Sequence, residues 1–335
     1  MGKVVGILGA TGVVGQQMMQ CLEEREFPVD RLVPLASARS AGKKIDFMGE
    51  QVEVVEATKD AFAGIDIVLG AAGDAQAKEL LPHAVAAGAV CVDNSHAFRL
   101  DPDVPLVIPE INGEDVAWHK GIISNPNCAT IIGLMPLAPL QAAAGLKRVI
   151  ASTYQAASGA GKPGLDELDR ELACVVNGEE VGESKPFAYQ LANNLIPQIG
   201  GFNELLYTSE EMKFQNEGRK IMHLPELRVN CTCVRVPVQR SHSESITAEF
   251  ERPISPDEAR ELLAAAPGVR VVDDPEALRY PMPLETSDQD LIFVGRIRRD
   301  ISAPDDANAL TLFCAGDQIR KGAATNAVQI AQLLL

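Results

Sequence analysis

The first two dozen residues constrain this chain most. Lys3 to Leu8 is a short apolar run that meets glycine at once, in Gly9-Ala10-Thr11-Gly12-Val13-Val14-Gly15. Val13 to Leu22 then sets Val13, Val14, Met18, Cys21 and Leu22 along one helical stripe. A strand, a glycine-rich turn and a helix therefore follow one another. Small residues at such a junction let backbone N–H groups approach a pyrophosphate at the helix N-terminus. The G-x-x-G-x-x-G spacing is a variant of the dinucleotide fingerprint, and it predicts a cofactor site here; a glycine triplet without that context would specify only a tight turn. An NAD-type site expects Asp or Glu about 20 residues on, at the end of the second strand. That end reads Ala36-Ser37-Ala38-Arg39-Ser40. Two hydroxyls and a guanidinium suit a 2′-phosphate, which favours NADP over NAD.

Further apolar runs at Leu32 to Ala36, Ile65 to Ala72 and Ala89 to Asp93 alternate with helical segments such as Ala75 to Ala87. That alternation argues for a parallel sheet. After about Lys147 the texture changes to longer alternating strands, RVIASTYQAASGAG, VNCTCVRVPVQ, ITAEFE and LIFVGRIRRD, with helix-like SEEMKFQNEGRKIM and SPDEARELLAAA between them. This second part reads as an α+β domain on an antiparallel or mixed sheet. The closing GAATNAVQIAQLLL reads as a helix with no companion strand, available to pack on the first domain. A chain of 335 residues has room for two such domains.

Composition narrows the function classes. A formal charge of −16, with no Lys/Arg block interleaved with aromatics, argues against nucleic acid, yet a few converging cations would still hold a small anion. Seven cysteines without a C-x-x-C pair, and five histidines without ligand spacing, give no metal site and read as reduced thiols of a cytoplasmic protein. The N-terminus lacks the apolar length of a secretion signal. The longest uncharged stretch, Cys128 to Leu146, contains Pro136 and Pro139 and reads as a buried helix, so no membrane is expected.

Ser124-Asn125-Pro126-Asn127-Cys128-Ala129-Thr130 places a cysteine after Asn127, a good N-cap, with an apolar helix running on from it. Partial positive charge at a helix N-terminus favours thiolate and offers N–H groups to an oxyanion, the two requirements of covalent thiolate catalysis. The other six cysteines read as buried filler.

GATGVVG at 9–15, DNSHAFR at 93–99, SNPNCAT at 124–130, STYQAASGAG at 152–161, EEMK at 210–213, CVRVPVQRSHSE at 233–244 and GAATNAVQIA at 322–331 together resemble bacterial aspartate-semialdehyde dehydrogenase. The motifs occur in the family's order across essentially the whole chain. The resemblance implies an α/β protein with an N-terminal Rossmann-type dinucleotide-binding domain over residues 1–128, completed by a C-terminal helix within 316–335, and an α+β catalytic and dimerisation domain over 129–315. It implies a homodimer or tetramer using NADP(H).

By the same resemblance Cys128 would be the nucleophile, His242 the acid/base and Gln155 the residue that orients substrate and thiolate. Arg235 would hold the substrate α-carboxylate and Glu210 its ammonium, with Arg99 and Lys213 on phosphate and Asn127 beside the substrate. Gly9, Thr11, Gly12, Val13, Val14, Gly15, Ser37, Arg39 and Ser40 would bind the dinucleotide, Ser158 and Gly159 would lie near its nicotinamide, and Gln318 and Asn326 would complete the pocket. The reaction implied is reduction of 4-phospho-L-aspartate to L-aspartate 4-semialdehyde and inorganic phosphate through a cysteine thioester, in the aspartate pathway to lysine, threonine and methionine. The alternatives are N-acetyl-γ-glutamyl-phosphate reductase and a non-catalytic NADP-binding relative. The chain departs from the family pattern at Gln190, where proline is frequent, and at Gly200 or Gly201, where an acidic residue is frequent.

Overall fold

The computed structural model describes residues 2–304 and 308–335. Its contacts separate two units, one running to Asn127 and resuming at Ala323–Leu335, the other spanning Cys128–Gly322. Residues 316–322 thus fall in the second unit.

The first unit contains β1 (Lys3–Leu8), α1 (Val13–Glu24), β2 (Val29–Ala36), β3 (Lys44–Phe47), β4 (Glu50–Glu53), β5 (Val55–Glu56), β6 (Ile67–Gly70), α2 (Asp74–Ala86), β7 (Val90–Asp93), α3 (Pro109–Asn112) and β8 (Ile122–Ser124). Six strands form one sheet in the order β5-β2-β1-β6-β7-β8, with every pairing parallel, while β3 and β4 make a separate hairpin. The sheet is apolar on both faces because helices cover both. Val5 and Ile7 of β1 pack with Met18 and Leu22 of α1 and with Val328 and Ile330 of the C-terminal helix Thr325–Gln332. Leu8 and Val68 pack with Leu80, Leu81 and Ala84 of α2 on the other side. The chain leaves β1 toward β2 and β5, then returns to β6 on the opposite flank. This reversal opens a crevice at the carboxyl ends of β1 and β6, where open α/β sheets bind ligands.

The second unit contains α4 (Cys128–Ala144), β9 (Leu146–Gln155), α5 (Gly161–Asn177), α6 (Ser209–Ile221), β10 (Arg228–Arg235), β11 (His242–Phe250), α7 (Pro256–Ala265), β12 (Val269–Val271), α8 (Pro283–Thr286), β13 (Ile292–Arg299) and β14 (Ala309–Gly316). Its sheet runs β10-β9-β11-β14-β13-β12 and is mixed, parallel at both ends and antiparallel between. Helix α4 lies over β9, β11, β13 and β14, with α6 beside β10 and α7 beside β12 and β13. Side chains of the other face, among them Ile150, Tyr154, Thr247, Thr311 and Phe313, are partly or fully exposed.

Both prolines lie inside α4, which runs on through them. Pro136 cannot donate to Ile132 O, and the Cys314 thiol on β14 donates to that carbonyl instead, at 3.9 Å. Ile131, Leu134, Met135, Leu137 and Leu140 are all buried, so packing holds the helix where propensity would not. Among the described residues no helix is long and apolar enough to cross a membrane.

Candidate active site

In the first unit the turn after β1 is shaped by glycine. Gly9 has φ +90°, and a Cβ there would lie 2.7 Å from Ala71 O; a Cβ on Gly15 would lie 2.4 Å from Gly9 O. Gly12 is the N-cap of α1 and offers no capping side chain, leaving the first-turn N–H groups of Val13, Val14 and Gly15 to a ligand. Thr11 and Gly12 are exposed at the rim. A cavity of about 610 Å³ opens beside this turn, lined by Leu8 and Gly9 at the end of β1, Ser37 and Ala38 after β2, Thr58 and Lys59 after β5, and Gly73 and Gln76 at α2. Arg39 is exposed one residue beyond Ala38, and Ser40 is buried in the same turn, its N–H bonded to Ser37 O. A glycine cradle, an uncapped helix and an adjoining cavity fit a dinucleotide.

Three other predicted residues also lie in this unit. Arg99 is buried and donates through Nη2 to Asn94 O at 2.8 Å. Asn127 is buried immediately before α4. Asn326 is fully buried, its amide donating to Val107 O at 3.0 Å and Asn125 Oδ1 at 2.7 Å.

The second unit gathers residues from five elements. Cys128 opens α4 and stays partly exposed, with Sγ 3.4 Å from His242 Nε2 at the start of β11. Gln155, the last residue of β9, brings Nε2 within 3.4 Å of the same ring nitrogen and donates to Glu210 Oε1 at 3.1 Å. The other Glu210 oxygen pairs with Lys213 at 2.8 Å, so the residues expected to meet ammonium and phosphate form one ion pair. Helix α6 is set in place by a capping box between Thr208 and Glu211, and Glu211 also accepts the Cys233 N–H of β10 at 3.1 Å. Arg235 ends β10, donates from Nη1 to Ala156 O at 2.5 Å and lies 5.9 Å from the Phe187 ring centroid. It also lines a 290 Å³ pocket with Phe187, Ile196 and Gln198.

Charge and burial differ sharply among these groups. Burial, reinforced by the Arg235 charge and opposed by Glu210, holds the His242 pKa down to about 3. Burial lowers Arg235 as well, with Glu210 opposing, and guanidinium stays charged. Burial pushes the Cys91 thiol up to about 12 and Cys314 well above its ordinary value. Those two sulfurs suit packing.

Ser158 and Gly159 follow β9 in a short turn. A Cβ on Gly159 would lie 2.7 Å from Arg235 Nη1 and 3.2 Å from His242 Cε1, so glycine leaves room for both side chains. Gln318 bonds the Ser158 hydroxyl through its amide nitrogen and accepts the Ser241 N–H at 2.8 Å, bracing the approach to His242. Of the departures, Gly200 has φ +84° and a Cβ there would lie 2.1 Å from Ser209 Oγ; Gln190 bonds Ala192 O at 2.8 Å.

Sequence reasoning did not single out Phe187, Lys59, Gly322 or Glu244. A Cβ on Gly322 would lie 3.0 Å from Cys128 Cβ, a closeness no local pattern announces. Glu244 is fully buried two residues after His242, both its oxygens are without a hydrogen-bond partner, and burial raises its pKa well above the usual carboxylate range. Among the described residues no group of three or more His, Cys, Asp or Glu is placed to hold a metal ion.

Comparison with known proteins identifies the family. Residues 4–119 match the family described as semialdehyde dehydrogenase, NAD binding domain, and residues 137–321 match semialdehyde dehydrogenase, dimerisation domain. Aspartate-semialdehyde dehydrogenase of Aquifex aeolicus is 50% identical over 339 residues, covering 100% of this chain and 98% of that protein. The structure of aspartate semialdehyde dehydrogenase II of Vibrio cholerae complexed with ASA superposes with a TM-score of 0.96 at 42% identity, covering 100% of this chain and 98% of that one. That of Candida albicans aspartate semialdehyde dehydrogenase with NADP gives 0.77 at 25% identity, covering 100% and 98%. With both family domains matched and half its residues identical to a full-length relative, the chain belongs to the aspartate-semialdehyde dehydrogenase family.

Proposed function

We propose that this enzyme reduces 4-phospho-L-aspartate to L-aspartate 4-semialdehyde and phosphate, with NADPH as reductant, through a thioester on Cys128. The observation that carries the reading is the Cys128 sulfur at the N-terminus of α4, 3.4 Å from His242 Nε2, with Gln155, Glu210 and Arg235 joined in the same buried group. A thiolate there attacks the acyl carbon, the carbon–oxygen bond to phosphate breaks, and phosphate departs with the electron pair. When bound, the dinucleotide supplies the hydride that reduces the thioester.

The residues divide the work by chemistry. Arg235 presents the rest of its fork to the α-carboxylate, and Glu210 receives the α-ammonium. Lys213 turns from Glu210 toward phosphate; for Arg99 the motif alone supports a phosphate role. A free ammonium beside a free carboxylate suits an aspartyl substrate better than an N-acetylated glutamyl one. The Gly9-to-Gly15 turn holds the pyrophosphate, and Ser37, Arg39 and Ser40 favour the 2′-phosphate of NADP. The uncovered sheet face around Tyr154 and Phe313, whose rings lie 6.3 Å apart, is an apolar patch of the kind a homodimer buries.

The test mixes the protein with L-aspartate 4-semialdehyde, phosphate and NADP⁺ and follows NADPH absorbance. Phosphate-dependent reduction with this aldehyde is expected, weaker with NAD⁺ and absent with N-acetyl-glutamate semialdehyde. Activity with the acetylated aldehyde instead would transfer the reading to N-acetyl-γ-glutamyl-phosphate reductase, and silence with both would favour a non-catalytic relative.

A further inference from the structure

Two rows of side chains lie across the second sheet on the face that α4 covers. In the first, Arg235 of β10 pairs with Gln155 of β9, His242 of β11 pairs with Gly316 of β14, and Gln155 touches His242. The His242 ring is seated there by the Ala156 N–H, which donates to Nδ1 at 3.0 Å. Two residues along each strand, register sets Cys233, Thr153, Glu244 and Cys314 side by side in the same order. Side chains alternate along a strand, so this second row faces the same way and lies directly behind the first. The rows are joined where the Thr153 hydroxyl donates to Gln155 Oε1 at 3.0 Å. That bond orients the amide, whose nitrogen then donates to Glu210 Oε1 at 3.1 Å. Turning the amide over would set its oxygen against that carboxylate.

Glu244 is the unsettled member of the second row. It is fully buried and both its oxygens are without a hydrogen-bond partner. Helix α4 leaves room for it with glycine, since a Cβ on Gly133 would lie 2.5 Å from Glu244 Oε2. The titratable groups facing it are Cys231 and Cys233 of β10, Cys314 of β14 and Glu210 of α6, all acids. Burial, then Cys233 and Glu210, hold the carboxyl in its neutral form. A neutral carboxyl has one proton to donate and lone pairs to fill, and leaving both unmet in a buried layer is costly. Thr153, directly opposite, has committed its proton to Gln155 and keeps lone pairs for a donor. Opposed residues of an antiparallel pair stand about 4.5–5.5 Å apart at Cβ, a span that one water closes.

We infer that Glu244 holds a buried water against Thr153, and that this chain keeps the Gln155 amide turned with its nitrogen toward the active site. Glu244 is thus a positioning residue that acts through Thr153 and Gln155. The carboxyl O–H donates to the water. The water returns one hydrogen to the second carboxyl oxygen and gives the other to Thr153 Oγ1, which satisfies both Glu244 oxygens. Thr153 then donates to Gln155 Oε1 and Gln155 to Glu210, so every link runs in one direction and no proton leaves the chain. The inference rests on the Cys128 reaction proposed above, in which Gln155 serves.

Two measurements on the ligand-free protein read the chain itself. A crystal structure should show one ordered water within about 3 Å of both the Glu244 carboxyl and Thr153 Oγ1. Infrared difference spectra of wild type against Glu244→Gln, near neutral pH, should show the carbonyl band of a neutral carboxylic acid, and Thr153→Val should move that band. A dry carboxyl, an ionised one, or a band indifferent to Thr153→Val would overturn the inference. Turnover reads the consequence. Thr153→Val keeps the side-chain shape and suits a strand, and it should lower kcat with aspartate semialdehyde about tenfold while KM for NADP⁺ changes by less than about twofold. Glu244→Met should do the same, Glu244→Gln, whose amide pairs with the same water, should recover most of that loss, and the Met and Val changes together should be no slower than either alone. Full kcat in Thr153→Val, additive losses, or no recovery in Glu244→Gln would refute the chain. Should Glu244→Met fail to fold, Thr153→Val and the infrared band still decide. A wild-type protein inactive on aspartate semialdehyde would sink the proposed reaction instead, leaving the water and the band as they are.

Discussion

The two sheets of this protein carry function in different ways. The N-terminal sheet is parallel, covered on both faces, and presents backbone groups at its strand ends, where Gly9, Gly12 and Gly15 let a ligand come close. The second sheet is mixed, covered on one face, and presents side chains from α4, β9, α6, β10 and β11 to one another. A backbone site is written in consecutive residues, because one turn supplies all its donors. A side-chain site is written in residues up to 114 positions apart, because only packing brings them together.

This contrast should appear first in a removal of the nucleophile. Cys128→Ala should lower turnover by about 10⁴-fold or more, while dinucleotide affinity, followed by fluorescence titration, changes by less than about threefold. Equal loss of both would show that the two sites are not separable. Next in size, Arg235→Lys keeps the charge but loses the planar fork, and KM for aspartate semialdehyde should rise by about 10- to 100-fold with a smaller change in kcat. A change in kcat alone would move Arg235 from carboxylate recognition to the chemistry.

Adding a methyl group separates the sheets again. Gly15→Ala meets Gly9 O at 2.4 Å, and Gly133→Ala meets the Phe214 ring and Glu244 Oε2 at 2.5 Å. Each should cost about 1–3 kcal/mol in denaturant melts, and only the first should weaken dinucleotide binding. A loss of dinucleotide affinity in Gly133→Ala would blur the comparison.

The smallest effect concerns the buried carboxyl behind His242. Burial raises the Glu244 pKa, so the folded chain keeps a proton that the unfolded chain releases above about pH 4.5. Stability is therefore highest below that pH and falls as pH rises toward the folded value. Glu244→Gln removes the ionisation and should stabilise the protein by about 1–2 kcal/mol at pH 8, with the gain vanishing near pH 4. A gain that did not vary with pH would point to packing alone.

What was legible in the sequence follows the same division. The β1-turn-α1 unit was readable because its apolar run, glycines and helical stripe are contiguous. The hairpin of β3 and β4 was not, since KIDF and EQVE are short and carry charges among few apolar residues. Cys128 stood out through its place at a helix start, a local property. Glu210, Lys213 and Arg235 read as ordinary surface charges until the family motifs assigned them roles, because nothing near them in the chain marks burial. Glu244 and the Ala156 N–H left no signal at all.

Sequence alone therefore determined the fold class, the dinucleotide turn and the cysteine at the helix N-terminus, each set by interactions between neighbours in the chain. Tertiary structure decided that α4 continues through Pro136 and Pro139, that Glu210 and Lys213 are one ion pair, and that the Ala156 N–H faces His242 Nδ1. Those outcomes depend on the cost of leaving a buried polar group unpaired, and that cost is set only when distant strands and helices have closed around it.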